Sequence, residues 1–139
     1  MAHHLLESNP NTIHWGHLDA AIAPKLTVNS GDLVVIDTLS GGRGDLGGDL
    51  SFVRANHRQI IENVMPIDGP HILTGPIAIR GAEPGDTLEV KIVEIELTEN
   101  WGYNLIRPGA GVLPEEFPHA SHRILPIDRQ SKTTNLPWG

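Results

Sequence analysis

Leu88-Glu89-Val90-Lys91-Ile92-Val93-Glu94-Ile95-Glu96-Leu97 is the most regular stretch of the chain, and its reading decides the fold class. Leu88, Val90 and Ile92 alternate with Glu89 and Lys91, the two-residue period of a strand with one buried face. Past Ile92 the phase slips: Val93, Ile95 and Leu97 become the apolar set, alternating with Glu94 and Glu96. Because strand side chains repeat every two residues, such a slip requires an extra residue or a change of sheet. The pattern predicts a strand over residues 87–98, with a β-bulge or a bend near Ile92 and Val93.

Upstream lies Gly81-Ala82-Glu83-Pro84-Gly85-Asp86. Proline presets φ at the second turn position and glycine accepts positive φ at the third, which predicts a type II turn. Pro76-Ile77-Ala78-Ile79-Arg80 leads into it as a short strand. The same grammar occurs earlier, where Lys25-Leu26-Thr27-Val28 precedes Asn29-Ser30-Gly31-Asp32 and then Leu33-Val34-Val35-Ile36-Asp37-Thr38. The flanking residues match no further, so two uses of one turn are expected rather than a true repeat. Asp32 and Asp86, each following a turn glycine, are expected to satisfy local backbone donors rather than to catalyse.

Between the two turns, residues 40–49 carry Gly41, Gly42, Gly44, Gly47 and Gly48. No Gly-Lys-Ser/Thr follows, so this is no phosphate loop. It reads as a mobile surface loop or a functional lid. In residues 55–65 the spacing of Ile60, Ile61, Val64 and Met65 suits a short helix capped by Asn56, with strand or loop as the alternatives. From Trp101 onward a proline or glycine falls every few residues, which predicts extended structure and loops. The ending Leu136-Pro137-Trp138-Gly139 places a tryptophan where nothing follows to pack on it, and reads as cut rather than finished.

The 139 residues suit one domain with a real core. Aromatics are only 4%, so Ile, Leu and Val must build that core. With 15 Gly and 11 Pro, they favour short strands and many turns. The formal charge of −7, with scattered Lys and Arg, offers no basic stripe for nucleic acid. There is no cysteine, which excludes disulfides, thiolate metal sites and a Cys nucleophile. The first ten residues lack the pattern of a secretory signal, and no apolar run approaches the roughly 20 residues of a membrane span. A cytoplasmic location, with no membrane partner, is expected.

Histidines are the candidate chemistry. His14-Trp15-Gly16-His17-Leu18-Asp19 is the densest group; on a strand His14 and His17 would face opposite sides, whereas in a turn they could converge. His119 and His122, near Glu115 and Glu116, read as a solvated loop. His71 stands between Gly69-Pro70 and Gly75-Pro76, on a stiffened segment where an imidazole can serve as ligand or acid–base group. It could equally hold a buried turn together. No Gly-x-Ser-x-Gly elbow and no His-Glu-x-x-His pair is present. The residues alone thus describe a β-rich domain with a candidate histidine–carboxylate site, solvent-exposed or hydrogen-bonded histidines being the alternative.

Several of these segments together resemble the acetamidase/formamidase family. They are residues 12–19, residues 23–32, Ser40-Gly41-Gly42, Trp101-Gly102-Tyr103 and residues 108–114. The stretch from His71 to Val90 is the most specific. The resemblance covers nearly all of residues 1–139 and implies an all-β, jelly-roll β-sandwich, here incomplete, with long loops and at most one short helix. It implies a hydrolase of short linear amides, such as formamide or acetamide, releasing ammonia. It further implies a chain about twice this length, whose carboxy-terminal half completes the active site. On this footing His71 and Glu83 are the expected catalytic pair, Trp15 and Asp19 the expected substrate-binding residues, and His14 and His17 the expected ligands of a divalent metal, zinc or calcium. The expected partners are a small amide and either further copies of the chain (a homo-oligomer) or a carboxy-terminal partner half. The competing expectation is a non-catalytic β-sandwich module.

Overall fold

The computed structural model describes residues 1–137, so Trp138 lies outside the described residues. The chain divides into two compact units, Met1–Gly44 with Gly48–Leu88, and Asp45–Gly47 with the chain from Glu89 onward. Among the described residues strands dominate, helices are few and no barrel closes, which fits a small all-β domain.

Unit 1 holds six strands: β1 (His3–Leu6), β2 (Ile13–Trp15), β3 (Leu26–Val28), β4 (Leu33–Ile36), β5 (Ile72–Thr74) and β6 (Ile77–Ile79). They form three two-stranded ladders: β1 with β4 in parallel, β2 with β5 antiparallel, and β3 with β6 in parallel. The core lies under the β2–β5 pair. Ile13 and Trp15 share one face of β2, as the strand period dictates, and pack with Ile72 and the fully buried Ile60. Burying a side chain of that size contributes roughly 1.5–3 kcal/mol.

Ile60 comes from the helix expected over residues 55–65, found as Ala55–Asn63. Asn56 does not cap it. The helix starts behind Arg54 without a side-chain cap, and the Asn56 amide instead donates to the Ser8 carbonyl at 3.0 Å. A further one-turn helix, α1 (Arg43–Leu46), sits in the glycine-rich stretch expected to be a loop, so the longer helix becomes α2. Two helices stand where at most one was expected.

Both glycine–aspartate turns form, with one geometry. The Asp32 N–H donates to the Asn29 carbonyl and the Asp86 N–H to the Glu83 carbonyl, each at 3.1 Å. Each aspartate also takes the N–H at the head of its own turn, Asn29 at 3.0 Å and Glu83 at 2.9 Å. Gly31 and Gly85 have φ of 84° and 104°, the conformation that selects glycine at the third turn position. The local role expected of both carboxylates is the one they play.

Asp32 does more. Its Oδ1 accepts the Ala2 N–H at 2.8 Å, and the Leu33 N–H then donates to the Ala2 carbonyl at 2.9 Å. The carboxylate thereby sets β1 alongside β4, with His3 opposite Leu33 and Leu6 opposite Ile36. His4 Nε2 lies 3.0 Å from Oδ2. Ends of the same two strands meet again at Ser8 and Asp37. The Ser8 and Thr74 hydroxyls lie 2.5 and 2.9 Å from the Asp37 carbonyl and 2.7 Å from each other. Arg54 closes the group on the Asp37 carboxylate at 3.0 Å.

In unit 2, β7 (Trp101–Ile106) and β8 (Ser121–Pro126) form the longest ladder, antiparallel, with Trp101 opposite Pro126 and Ile106 opposite Ser121. The stretch that decided the fold class behaves differently. Residues 87–98 contain no strand. Among the described residues, none of their backbone N–H groups donates to a backbone carbonyl. Leu88, Val90, Ile92, Val93 and Ile95 are 65–74% exposed. Alternation encodes which side chains want burial, but a strand exists only where a second backbone runs beside it. Among the described residues no backbone pairs with this stretch; the Arg129 and Lys132 side chains instead donate to the Leu97 and Ile95 carbonyls, and the expected bulge at Ile92 and Val93 has no ladder in which to form.

Hydrogen bonds from Ala2, Asn29 and His4 hold the Asp32 carboxyl well below the usual carboxylate range. A folded-state value below the unfolded value of about 4 means stabilisation that is complete above that value and lost as pH falls through the folded one. Wild type should therefore lose stability between about pH 4 and pH 2 more steeply than Asp32→Asn in urea titrations at stepped pH. At neutral pH the variant should be the less stable, with the β1 amides losing hydrogen-exchange protection first.

Candidate functional site

His14 and His17 meet at the end of β2, where the His71 backbone also pairs. The register pairs His14 with Leu73 and Trp15 with Ile72. The next pair is Gly16 with His71, whose carbonyl accepts the Gly16 N–H at 2.9 Å. There the strand stops. Gly16 has φ of 95°, and a Cβ at that position would lie 1.1 Å from the Asp68 carbonyl oxygen. Backbone packs where a side chain would stand, so only glycine fits.

The loop before β5 clasps this corner. The Ile67 N–H donates to the Trp15 carbonyl at 3.2 Å, and Trp15 Nε1 donates to the Pro70 carbonyl at 3.2 Å. The turn at Gly16 brings His17 back toward His14, and their rings meet edge to face with centroids 5.8 Å apart. Of the two geometries open to this pair, the convergent one is realised. His14 Nδ1 lies 3.4 Å from the Gly75 carbonyl and His17 Nδ1 3.5 Å from the Trp15 carbonyl. With Nδ1 protonated toward those carbonyls, each ring keeps its Nε2 lone pair for another partner.

His71 is exposed; its backbone is fixed by Gly16 while its imidazole takes no hydrogen bond among the described residues. Glu83 is exposed in its turn, with its N–H held by Asp86 and its carboxylate bound to none of the other candidates. Trp15 is buried in the core, its one polar atom already engaged. Asp19 accepts the Ala21 N–H at 2.8 Å and stands exposed beyond the histidines. The structure thus brings the His14 and His17 rings together beside Gly16, pairs the His71 backbone with Gly16, and buries Trp15 in the core. It does not bring Glu83 into contact with them.

A divalent metal can be tested against this group. Structural or catalytic zinc takes three or four protein ligands. Among the described residues, no group of three His, Cys, Asp or Glu side chains is placed to hold a metal ion. His14 and His17 offer two imidazoles and no third ligand, so the residues present do not make a metal site by themselves.

Two features carry no sequence signature. His57 is 1% exposed on α2, with Nε2 2.8 Å from the Gly41 carbonyl. In unit 2, an open apolar cavity of about 450 Å³ runs beside Leu105, Val112, Leu113 and Phe117. Its one charged lining residue, Arg107, is paired with Asp45. Among the described residues, no helix is long and apolar enough to cross a membrane.

Residues 5–136 match the acetamidase/formamidase family, and the chain belongs to it. A Schizosaccharomyces pombe protein, provisionally named a formamidase, is 33% identical over 124 residues, covering 86% of this chain and 28% of that protein. The formamidase of Methylophilus methylotrophus is 41% identical over 59 residues, which are 39% of this chain and 14% of that enzyme. A predicted acetamidase/formamidase from Thermoanaerobacter tengcongensis superposes with a TM-score of 0.64 at 22% identity, covering 91% of this chain and 38% of that one. The acetamidase of Bacillus halodurans gives 0.56 at 21% identity, with 89% and 38% covered. The structural likenesses establish a shared fold. The chain spans less than two-fifths of the length of each of these relatives.

Gly16→Ala tests the corner. A side chain at positive φ that also meets backbone should cost about 3 kcal/mol in urea denaturation. Gly31→Ala, at φ 84° with nothing within 4 Å of the added Cβ, should cost only about 1 kcal/mol. The His14–His17 proximity should be lost in the first variant, read from ring-proton NMR contacts, and kept in the second.

Proposed function

We propose that this chain is the amino-terminal part of a short-chain amide hydrolase, which converts a linear amide such as formamide or acetamide to a carboxylate and ammonia. The remainder of the family's length completes both a jelly-roll sandwich and the active site. The observation that carries this reading is the family match over residues 5–136 in a chain covering 28% of the Schizosaccharomyces pombe relative.

Amide hydrolysis needs an activated water or nucleophile, stabilisation of the developing oxyanion, and a proton for the departing amine. His71 fits the proton-transfer role: its backbone is fixed, its imidazole is open to solvent, and a ring nitrogen can give or take a proton. Asp19, exposed two residues after His17, is the proposed partner of the amide N–H, and Trp15 anchors the corner from the core. Glu83 takes part once the missing length draws its turn toward the histidines. His14 and His17 keep ring nitrogens free for ligands, and a zinc or calcium ion there would draw its remaining ligands from beyond this chain. No step assigned to these residues runs through it. The alternative reading is a non-catalytic β module.

Ammonia release from formamide and acetamide separates the two. The chain alone should be inactive. Joined to, or mixed with, a polypeptide carrying the remaining length of the Schizosaccharomyces pombe relative, it should release ammonia. His71→Ala in that assembly should lower kcat/KM by about 10²–10⁴-fold, the usual worth of a positioned acid or base. Turnover by the chain alone would overturn the need for the remainder. A folded assembly with no turnover would favour the non-catalytic module.

A further inference from the structure

The two glycine–aspartate turns share a geometry but not a set of partners. At the first, Asp32 Oδ2 takes the Asn29 N–H, and Oδ1 takes the Ala2 N–H of a second strand segment. At the second, Asp86 Oδ2 takes the Glu83 N–H in the same way, while Oδ1 has no hydrogen bond among the described residues. After the first turn, residues 33–36 become β4 because β1 runs beside them. After the second, residues 87–92 carry the stronger strand pattern and form no strand.

Superposing Gly31-Asp32 on Gly85-Asp86 places Thr87 at Leu33, Glu89 at Val35 and Lys91 at Asp37. The N–H groups of Leu33 and Asp37 donate to the carbonyls of Ala2, just before β1, and of Leu6, at its end. Their counterparts, at Thr87 and Lys91, donate to no backbone carbonyl among the described residues. On the same stretch Leu88, Val90 and Ile92 are 65%, 74% and 73% exposed. An apolar, alternating segment with unpaired donors is the element that strand addition completes.

We propose that residues 87–92 are a docking strand for a parallel β-strand from the remainder of the family's polypeptide. Asp86 Oδ1 receives the first N–H of that strand, as Asp32 Oδ1 receives that of Ala2. This rests on the reading that such a remainder completes the chain. The occupant has a stated chemistry. It alternates apolar residues, and two positions after its docking N–H it carries a basic side chain, in the place that His4 takes beside Asp32. A second copy of this chain fits poorly. Its own N–H of this kind, at Ala2, is already held by Asp32. Residues 88–97 hold three glutamates against one lysine, so two copies would set like charges side by side. Relatives whose matched part is 28–38% of their length have ample chain left to supply a strand.

Hydrogen exchange read by mass spectrometry tests the docking. The chain is compared alone and fused to the part of the Schizosaccharomyces pombe relative that follows the matched stretch. Alone, the amides of residues 87–92 should exchange as open chain. In the fusion they should slow by about 100-fold, with residues 33–36 protected in both as the internal check that unit 1 is folded. Asp86→Asn in the fusion should return about tenfold of that protection, a loss within the range for a hydrogen bond to a charged group. Glu89→Pro, which removes a donor on the docking edge, should abolish it, while Glu89→Ala should not. Free exchange of residues 87–92 in a fusion that protects residues 33–36 would overturn the proposal. So would protection in the chain alone that grows with concentration, which would mean self-pairing. A fusion that hydrolyses formamide while residues 87–92 exchange freely would sink the docking strand and leave the amidase reading intact; protection without ammonia release would do the reverse.

Discussion

A strand pair has two edges and two faces, and a protein must pair or solvate every backbone group they expose. Every ladder among the described residues is two-stranded. Each therefore leaves an outer row of backbone groups without a strand partner, and covers at most one face well. The β2–β5 pair meets that constraint best, because α2 lays Ile60 against Ile13, Trp15 and Ile72. The β1–β4 pair meets it least. Leu5 stands opposite Val35, and the two are 62% and 57% exposed. Parallel ladders are ordinarily covered on both faces, so an apolar pair left in water marks a surface shaped for more structure than the described residues provide.

Within that constraint, polar side chains do the joining that a continuous sheet would do elsewhere. Asp32 ties the start of β1 to the start of β4. The Ser8, Asp37 and Thr74 cluster ties the chain just beyond β1 and β4 to the last residue of β5, with Asn56 of α2 on the Ser8 carbonyl. Two hydroxyl protons serve three close contacts there, so two of them are hydrogen bonds and the third is an approach enforced by the others. Ser8 is 1% exposed, so the loss of any member would strand a polar atom away from water.

Residue pattern foretold the elements whose causes are local. The turns at Gly31-Asp32 and Gly85-Asp86, the carboxylates that close them, the strands before them and the helix on residues 55–63 all follow from spacing of a few residues. What pattern could not reach depends on distant partners. Asn56 looks like a cap, yet the Ser8 carbonyl, 48 positions away, claims its amide. Residues 40–49 are glycine-rich, yet one helical turn forms at Arg43–Leu46. Residues 87–98 have the clearest strand signal in the chain and no strand, since alternation fixes one side of a ladder and says nothing of the other. At the candidate site, the convergence of His14 with His17 was open in the sequence, and Gly16 decided it through its approach to Asp68. Trp15 was legible as important but not as core.

The same separation between a local cause and a distant partner bears on the candidate site. Catalysis requires groups of different chemistry to converge on one reacting atom, and convergence costs less when each group sits on backbone already fixed for other reasons. The Gly16 corner supplies that. His71 is opposite Gly16 because β2 and β5 pair, and His17 turns toward His14 because Gly16 alone tolerates the bend. Among the described residues, no third His, Cys, Asp or Glu side chain joins His14 and His17 as a metal ligand. An amide needs an activated oxygen and oxyanion donors as well as a proton carrier. The corner holds its histidines on the best-covered ladder of unit 1. On the amidase reading the complementary groups come on other backbone, and residues 87–92, whose N–H groups donate to no backbone carbonyl among the described residues, are the proposed place to receive it.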